Sequence, residues 1–99
     1  MIIYEVNLKI SKKIYNDFYI WLIPHQKKML TFNGFKKSKI FNVESEIMNY
    51  KLLSVHYYLR DINLLNDYFT NDASKIQKEG MKLFGNHFSA ERRILSTSD

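Results

Sequence analysis

The stretch IIYEVNLKI, residues 2–10, alternates between two kinds of side chain. Such a period of two, kept up without interruption, is typical of a β-strand with one face against a core. The apolar side carries Ile2, Tyr4, Val6, Leu8 and Ile10. The mixed side carries Ile3, Glu5, Asn7 and Lys9. We therefore predict a strand that buries one face, and the other elements are assigned outward from it.

Beyond this strand the period changes to that of an α-helix. Apolar and aromatic residues recur at spacings of three and four over residues 14–29, which indicates one helix face directed at a core. Ser11 is suited to cap the N-terminus of this helix, and Asn33-Gly34 is suited to end it. The predicted face consists of Ile14, Phe18, Trp21, Leu22, His25 and Met29.

Two more strands follow, KKSKIFNVE at residues 36–44 and YKLLSVHYYLRD at residues 50–61, joined by a hairpin. Asp61 is placed to cap a second long helix, which the stretch NDAS (71–74) can divide and Gly85 ends. The predicted buried stripe of that helix consists of Ile62, Leu65, Phe69, Ala73, Ile76, Gly80 and Leu83.

The last strand is predicted at FSAERRIL, residues 88–95, with a frayed tail over residues 95–99. The order β-α-β-β-α-β predicts an α+β, ferredoxin-like fold in which both helices cover one face of a four-stranded antiparallel sheet. The first and third strands are central in this arrangement. We predict a single domain over residues 1–99, a common domain length.

The opposite face of the predicted sheet carries no helix. Its central pair of strands is half apolar and half polar, so this face meets either water or the same face of a second copy. The aromatic content of 15% favours the second alternative, a dimeric α+β barrel. The residues concerned are Ile3, Glu5, Asn7 and Lys9 beside Leu52, Ser54, His56 and Tyr58.

Several stretches resemble the bacterial DUF4286 proteins, a family to which no activity is assigned. They are IIYEVNL, Trp21-Leu22 with His25, Met29-Leu30, Gly34-Phe35, VHYYLRD, Tyr68-Phe69 and EGMKLFGNHFSAERRIL. The resemblance spans nearly the whole chain and implies the dimeric α+β barrel. Related barrel families include monooxygenases with little cofactor use, isomerases, haem-degrading enzymes and ligand-sensing domains, so the resemblance does not choose a function. The chain departs from the expected pattern at Pro24, where an ordinary helix former would stand.

The composition limits the chemistry. There is no cysteine, which excludes disulfides, thiolate catalysis and cysteine metal sites, and fits a reducing compartment. The sequence shows no signal peptide and no apolar run of membrane length, so we expect a cytoplasmic protein without membrane association. The three histidines fall on different elements without the spacing of a ligand set, and we expect neither a metal nor another cofactor.

The net charge of +5 raises the question of anionic partners. A nucleic-acid surface would combine a basic patch with exposed aromatic residues. We favour a simpler role for the lysines, protection of an edge strand against aggregation, and we do not expect nucleic acid as a partner. The basic cluster consists of Lys27, Lys28, Lys36, Lys37 and Lys39, and the nearby aromatic residues Phe32, Phe35 and Phe41 are predicted to be core.

Six residues are candidates for lining a ligand cavity inside the barrel. Four lie on the bare face and two at the rim, and together they offer a carboxylate, an amide, a hydroxyl and imidazoles. The alternative is that they pair with one another across a dimer interface. We predict a homodimeric ligand-binding or interaction module; the alternative is a cofactor-independent enzyme, monooxygenase-like or isomerase-like, acting on a small, partly apolar molecule. The candidates are Glu5, Asn7, His56 and Tyr58, with Trp21 and His25 at the rim.

The sequence leaves the roles of two pairs of consecutive residues open. Pro24 is predicted to divide the first helix, with His25 hydrogen-bonded at the core boundary; the alternative is a kink that opens a pocket beside the imidazole. Arg92 and Arg93 point to opposite sheet faces, so one of them points inward. That arginine could bind a carboxylate or phosphate, or pair with Glu5 or Glu91.

Overall fold

The structure is a computed structural model and describes residues 1–98. The elements are β1 (Ile2–Ser11), α1 (Tyr15–Met29), β2 (Phe35–Val43), β3 (Tyr50–Leu59), α2 (Ile62–Asn71), α3 (Ala73–Phe84) and β4 (Phe88–Ser96). This is the predicted order, and the second helix is divided within NDAS as expected.

One antiparallel sheet with strand order β2-β3-β1-β4 contains all four strands. The central pair is therefore β1 and β3, which confirms the ferredoxin-like arrangement. Residues that lie directly opposite each other share a sheet face. Since Glu5 pairs with His56 on β3 and with Arg93 on β4, these three side chains lie on one face.

The core lies between the other face of the sheet and the three helices. It is rich in aromatic rings: Tyr4 on β1 lies 6.1 Å from Tyr57 on β3 and 6.1 Å from Tyr68 on α2. The largest fully buried side chains are Tyr4, Phe18, Ile10, Met29, Leu53, Leu59, Leu65 and Val55. The alternation in β1 and the helical period in α1 thus predicted the buried faces correctly.

The start of α1 differs from the prediction. Ser11 is the last residue of β1, where it pairs with Tyr50, and the helix begins only at Tyr15 without a side-chain cap. The Ser11 carbonyl accepts a hydrogen bond from the Ile14 amide, and its hydroxyl accepts one from the Lys13 amide. The prediction of Ser11 as a helix cap was wrong, because this serine stabilises the turn that precedes the helix.

The prediction that Pro24 divides the first helix was also wrong. Pro24 lies inside one continuous helix from Tyr15 to Met29. Proline frees the carbonyl four residues earlier, here that of Ile20. Both Pro24 and Ile20 are exposed, so this carbonyl lies on the solvent side of the helix, where water can bond to it.

The second helical segment keeps most of the predicted buried stripe: Leu65, Ala73, Ile76 and Gly80 are buried. Asp61 caps α2 as expected, its carboxylate accepting from the Asn63 amide. Asp72 then interrupts the helix with φ −130°. Tyr68 is buried instead of Phe69. Three members of the predicted stripe are exposed: Ile62, Phe69 and Leu83.

Two smaller predictions need correction. The frayed tail was placed from residue 95, but Leu95 and Ser96 pair with Ile3 and Ile2 in β4, since the central strand β1 offers backbone partners there. The end of the predicted tail, Asp99, lies outside the described residues.

Phe41 was predicted to be core, but it is exposed because its partner Ser54 belongs to the sheet face without helices.

Candidate functional site

The sheet separates the six candidate residues into two groups. Four of them lie on the face without helices, here called the open face: Glu5, Asn7, His56 and Tyr58. Trp21 and His25 belong to α1 and lie on the helix-covered side. The structure therefore brings the first four together and does not bring the last two to them.

Glu5 is the centre of a polar cluster on the open face. It is 4% exposed, and its carboxylate accepts a hydrogen bond of 2.8 Å from the Asn7 amide. His56 Nε2 lies 2.9 Å from the second carboxylate oxygen, and Arg93 Nε donates to the first. Burial acts to raise the pKa of Glu5, but hydrogen bonds from Arg93 and Asn7 and the nearby positive charge outweigh it and lower that pKa. The carboxylate is thus ionised at neutral pH.

Aromatic and lysine side chains flank this cluster. The Phe41 ring lies 4.9 Å from the His56 ring, and the Lys37 ammonium lies 4.9 Å from the centre of the Tyr58 ring. Since both Glu5 oxygens already have partners, the cluster leaves no free carboxylate oxygen of Glu5 for a ligand. Its chemistry suits a specific polar contact better than general acid–base work.

A separate cavity, here called the helix-side pocket, lies between the sheet and the helices. Its volume is about 60 Å³. The lining is mostly apolar and aromatic, with polar groups from the side chains of His25, Gln77, Arg92 and three tyrosines. The lining includes Tyr4, Trp21, His25, Gln77, Gly80 and Arg92.

Gly80 on α3 shapes one wall of this pocket. A Cβ atom added there would lie 3.2 Å from the Trp21 ring and 3.3 Å from the Phe88 ring. The missing side chain therefore lets the two rings approach the helix backbone closely.

His25 stacks on Trp21 in this pocket, with ring centres 4.5 Å apart and an angle of 20° between the planes. Its Nδ1 is buried and, within residues 1–98, has no hydrogen-bond partner. The predicted hydrogen bond of His25 at the core boundary is thus absent at this atom. Burial lowers the pKa of His25 to about 4; the charge of Glu79 opposes this effect, while Lys28 and Arg92 add to it. The imidazole is therefore neutral at neutral pH.

Three tyrosine hydroxyls contribute further polar groups to the lining, from Tyr4, Tyr57 and Tyr68. Burial raises the pKa of each hydroxyl, so all three are protonated at neutral pH. The Tyr68 hydroxyl lies 3.6 Å from the sulfur of Met29, a weak acceptor. The pocket thus combines apolar walls with neutral hydrogen-bonding groups.

His25 should make the stability of the protein depend on pH. In the unfolded chain His25 titrates at its ordinary pKa of 6.5 and in the folded chain at about 4, so the unfolded state binds more protons between these values. We expect its contribution to lower the free energy of unfolding by roughly 2 kcal/mol between about pH 8 and about pH 5. His25→Phe keeps a ring against Trp21 and should lose this part of the dependence. Denaturant unfolding of both proteins at a series of pH values measures it, and equal dependences would contradict the prediction.

Sequence reasoning missed several lining residues of the helix-side pocket. The alternation of β1 and β3 placed Tyr4 and Tyr57 on the core face, but it gave no sign that a cavity lies beside them. Tyr68 was missed because the predicted buried stripe of the second helix contained its neighbour Phe69 instead. Arg92 was recognised as one of two arginines on opposite faces, without a choice between them.

Membrane-spanning helices and metal sites were both sought within residues 1–98. No helix in this part of the chain is long and apolar enough to cross a membrane. Over the same residues there is no group of three or more histidine, aspartate or glutamate side chains that could hold a metal ion.

The sequence matches one family model. The model, described as "Domain of unknown function (DUF4286)", matches residues 1–98. A comparison with curated proteins gives no match.

Solved structures share the fold over nearly the whole chain. A proposed antibiotic biosynthesis monooxygenase from Deinococcus radiodurans has a TM-score of 0.72 at 8% identity, with 100% of this chain and 94% of that chain covered. SnoaB, a cofactor-independent oxygenase from Streptomyces nogalater, has a TM-score of 0.69 at 9% identity, with coverage of 99% and 94%. A dimeric ferredoxin-like protein from an uncultured marine organism has a TM-score of 0.57 at 12% identity, with coverage of 99% and 98%. Identities this low show a common fold and no more.

Proposed function

This chain belongs to the DUF4286 family of domains of unknown function, and on that premise we propose that it is a homodimeric ligand-binding protein of the bacterial cytoplasm. In this proposal the open face contacts a second copy, and each helix-side pocket binds a small, partly apolar molecule. The absence of cysteine supports a reducing compartment.

The single observation that carries the binding proposal is the unpartnered Nδ1 of His25. A buried polar atom without a hydrogen bond is costly and rare in folded proteins, so a partner from outside the chain would account for it. The pocket is much smaller, at about 60 Å³, than the roughly 300–1,000 Å³ of typical ligand sites, but it shares their apolar walls, a few convergent polar groups and a shifted pKa. Trp21 and His25 are thus proposed as ligand contacts.

The remaining four candidates are proposed as contacts of the dimer. The polar cluster around Glu5 lies between two apolar corners of the open face. Ile3, Tyr58 and Leu95 lie opposite one another at one end, and Val43 and Leu52 at the other. Two apolar corners beside a satisfied polar cluster suit contact with the same face of a second copy. The similar protein from a marine organism is described as dimeric, which supports the proposal.

The alternative of a cofactor-independent enzyme uses the same pocket. Its fold is shared with SnoaB, but a shared fold does not select an activity. Binding therefore comes first in the order of tests.

Ligand-observed NMR with a library of fragment-sized compounds tests the binding proposal. We expect compounds that bind the wild-type protein and lose affinity in His25→Phe, which removes the unpartnered nitrogen. His87→Phe is the matched control, because His87 is exposed and lies outside the pocket lining. Binding that is equal in the wild type and His25→Phe, or no binding at all, would contradict a ligand site at His25.

A further inference from the structure

Two consecutive arginines on β4 differ in their partners. Arg92 and Arg93 point to opposite faces of the sheet because side chains alternate along a strand. On the open face, Arg93 donates to the carboxylate of Glu5. On the other face, Arg92 lines the helix-side pocket, and within residues 1–98 no ion pair joins it to a carboxylate.

Arg92 is the one charged side chain that the described residues contribute to the pocket lining. A guanidinium stays protonated in proteins and presents a planar set of donors that matches a carboxylate. Its neighbour in the pocket is the Tyr4 hydroxyl, whose pKa is raised by burial while Arg92 opposes that rise. Arg92 is itself exposed, so it lies at the open edge of the pocket, where a carboxylate would replace water at the guanidinium.

The other walls limit the size and polarity of a ligand. The cavity of about 60 Å³ is smaller than the roughly 150 Å³ of a cavity that takes up benzene, so it can enclose only a few heavy atoms, such as those of a two- or three-carbon chain. His25 Nδ1 needs one hydrogen-bond partner. A hydroxyl both donates and accepts, so it can serve either tautomer of a neutral imidazole.

We infer that the ligand of the helix-side pocket is a short-chain hydroxycarboxylate, held by Arg92 at its carboxylate and by His25 at its hydroxyl. This inference rests on the proposed function and deepens it. The apolar chain of the ligand lies against the aromatic wall at Trp21.

Titration with the two isomers of lactate, a three-carbon hydroxycarboxylate, and with their neutral amides, followed by ¹H–¹⁵N NMR, tests the inference. We expect at least one isomer to bind the wild-type protein about tenfold more tightly than its amide, since a charge-assisted bond to Arg92 is lost in the amide. Arg92→Gln should weaken binding of the carboxylate about tenfold and leave the amide unaffected. Arg60→Gln changes the net charge equally at an exposed residue outside the pocket lining, and should leave both affinities unchanged.

The contrary outcomes separate the two proposals. If carboxylate and amide bind equally, or Arg92→Gln has no effect, the pocket binds ligands but the hydroxycarboxylate inference is wrong. The same holds if no isomer binds while library fragments bind in a His25-dependent way. If neither the isomers nor the fragments bind, both the inference and the proposed function are overturned.

Discussion

Replacement of Glu5 by glutamine is expected to lower the free energy of unfolding by about 2 kcal/mol per protomer, since Glu5 and His56 are largely buried but the Arg93 side chain is 68% exposed and stays hydrated. Glutamine has nearly the same shape but no charge, and it cannot accept on both terminal atoms. It would leave His56 and Arg93 without the carboxylate that now bonds to both of them. In the proposed dimer these groups are further shielded from water, which increases the cost of leaving them unpaired.

Glu91→Gln provides the matched control for this experiment. Glu91 pairs with Asn7 across the ladder and so shares the open face, but it is exposed and forms no ion pair within residues 1–98. Its replacement should change the free energy of unfolding by no more than about 0.5 kcal/mol. Urea unfolding at equal protomer concentration compares the two variants. Similar losses in both would show that the Glu5 cluster does not stabilise the protein specifically.

Gly34→Ala is expected to destabilise the fold more strongly, by about 4 kcal/mol, since backbone strain and steric overlap add. Gly34 has φ +90°, a backbone conformation that residues other than glycine rarely adopt. An added Cβ would lie 2.5 Å from Cδ1 and 2.8 Å from Cβ of Leu64 on α2. Relief of that overlap requires α2 to move away from the turn that leads into β2, and not merely a rotation of the Leu64 side chain.

Gly85→Ala separates the two causes of this loss. Gly85 also has a positive φ, +55°, but a Cβ there would meet nothing within 4 Å. With ψ −132°, Gly85 adopts a conformation that is essentially confined to glycine, so its replacement should cost the backbone strain alone, about 2 kcal/mol. Thermal and urea unfolding of both variants measure the difference. If Gly34→Ala were no worse than Gly85→Ala, the close packing of α2 on this turn would be incorrect.

The periods of the sequence were sufficient to predict the sheet. Alternation in residues 2–10 assigned each side chain of β1 to a face, and the order of the strands placed Glu5 and His56 on neighbouring strands of the same face. Their direct pairing depends on the register, which only the structure shows. The break near Asp72 was also predicted, and the residues buried after it are the predicted ones. Tyr68 and Phe69 are consecutive in α2, and which of them is buried depends on how the helix packs against the sheet and not on the local pattern.

The candidate site was harder to predict, although one error was avoidable. Trp21 and His25 were placed at the rim of a barrel formed by the open faces. In such a barrel the helices lie outside, so a helix residue directed at its own sheet points away from the interior. Only the structure shows a cavity between α1 and the sheet, because a volume of about 60 Å³ depends on how side chains such as Trp21 and Phe88 meet at Gly80.

The central claim is that the two sheet faces have separate roles, with the open face contacting a second copy. Native mass spectrometry at micromolar concentration tests it most directly, with the wild-type protein measured beside Tyr58→Lys, which puts a charge at an apolar corner of the open face. If the open faces form the dimer, the wild-type particle has twice the 11.9 kDa chain mass and the variant is largely monomeric. A monomeric wild type, or a dimer that persists unchanged in Tyr58→Lys, would contradict it.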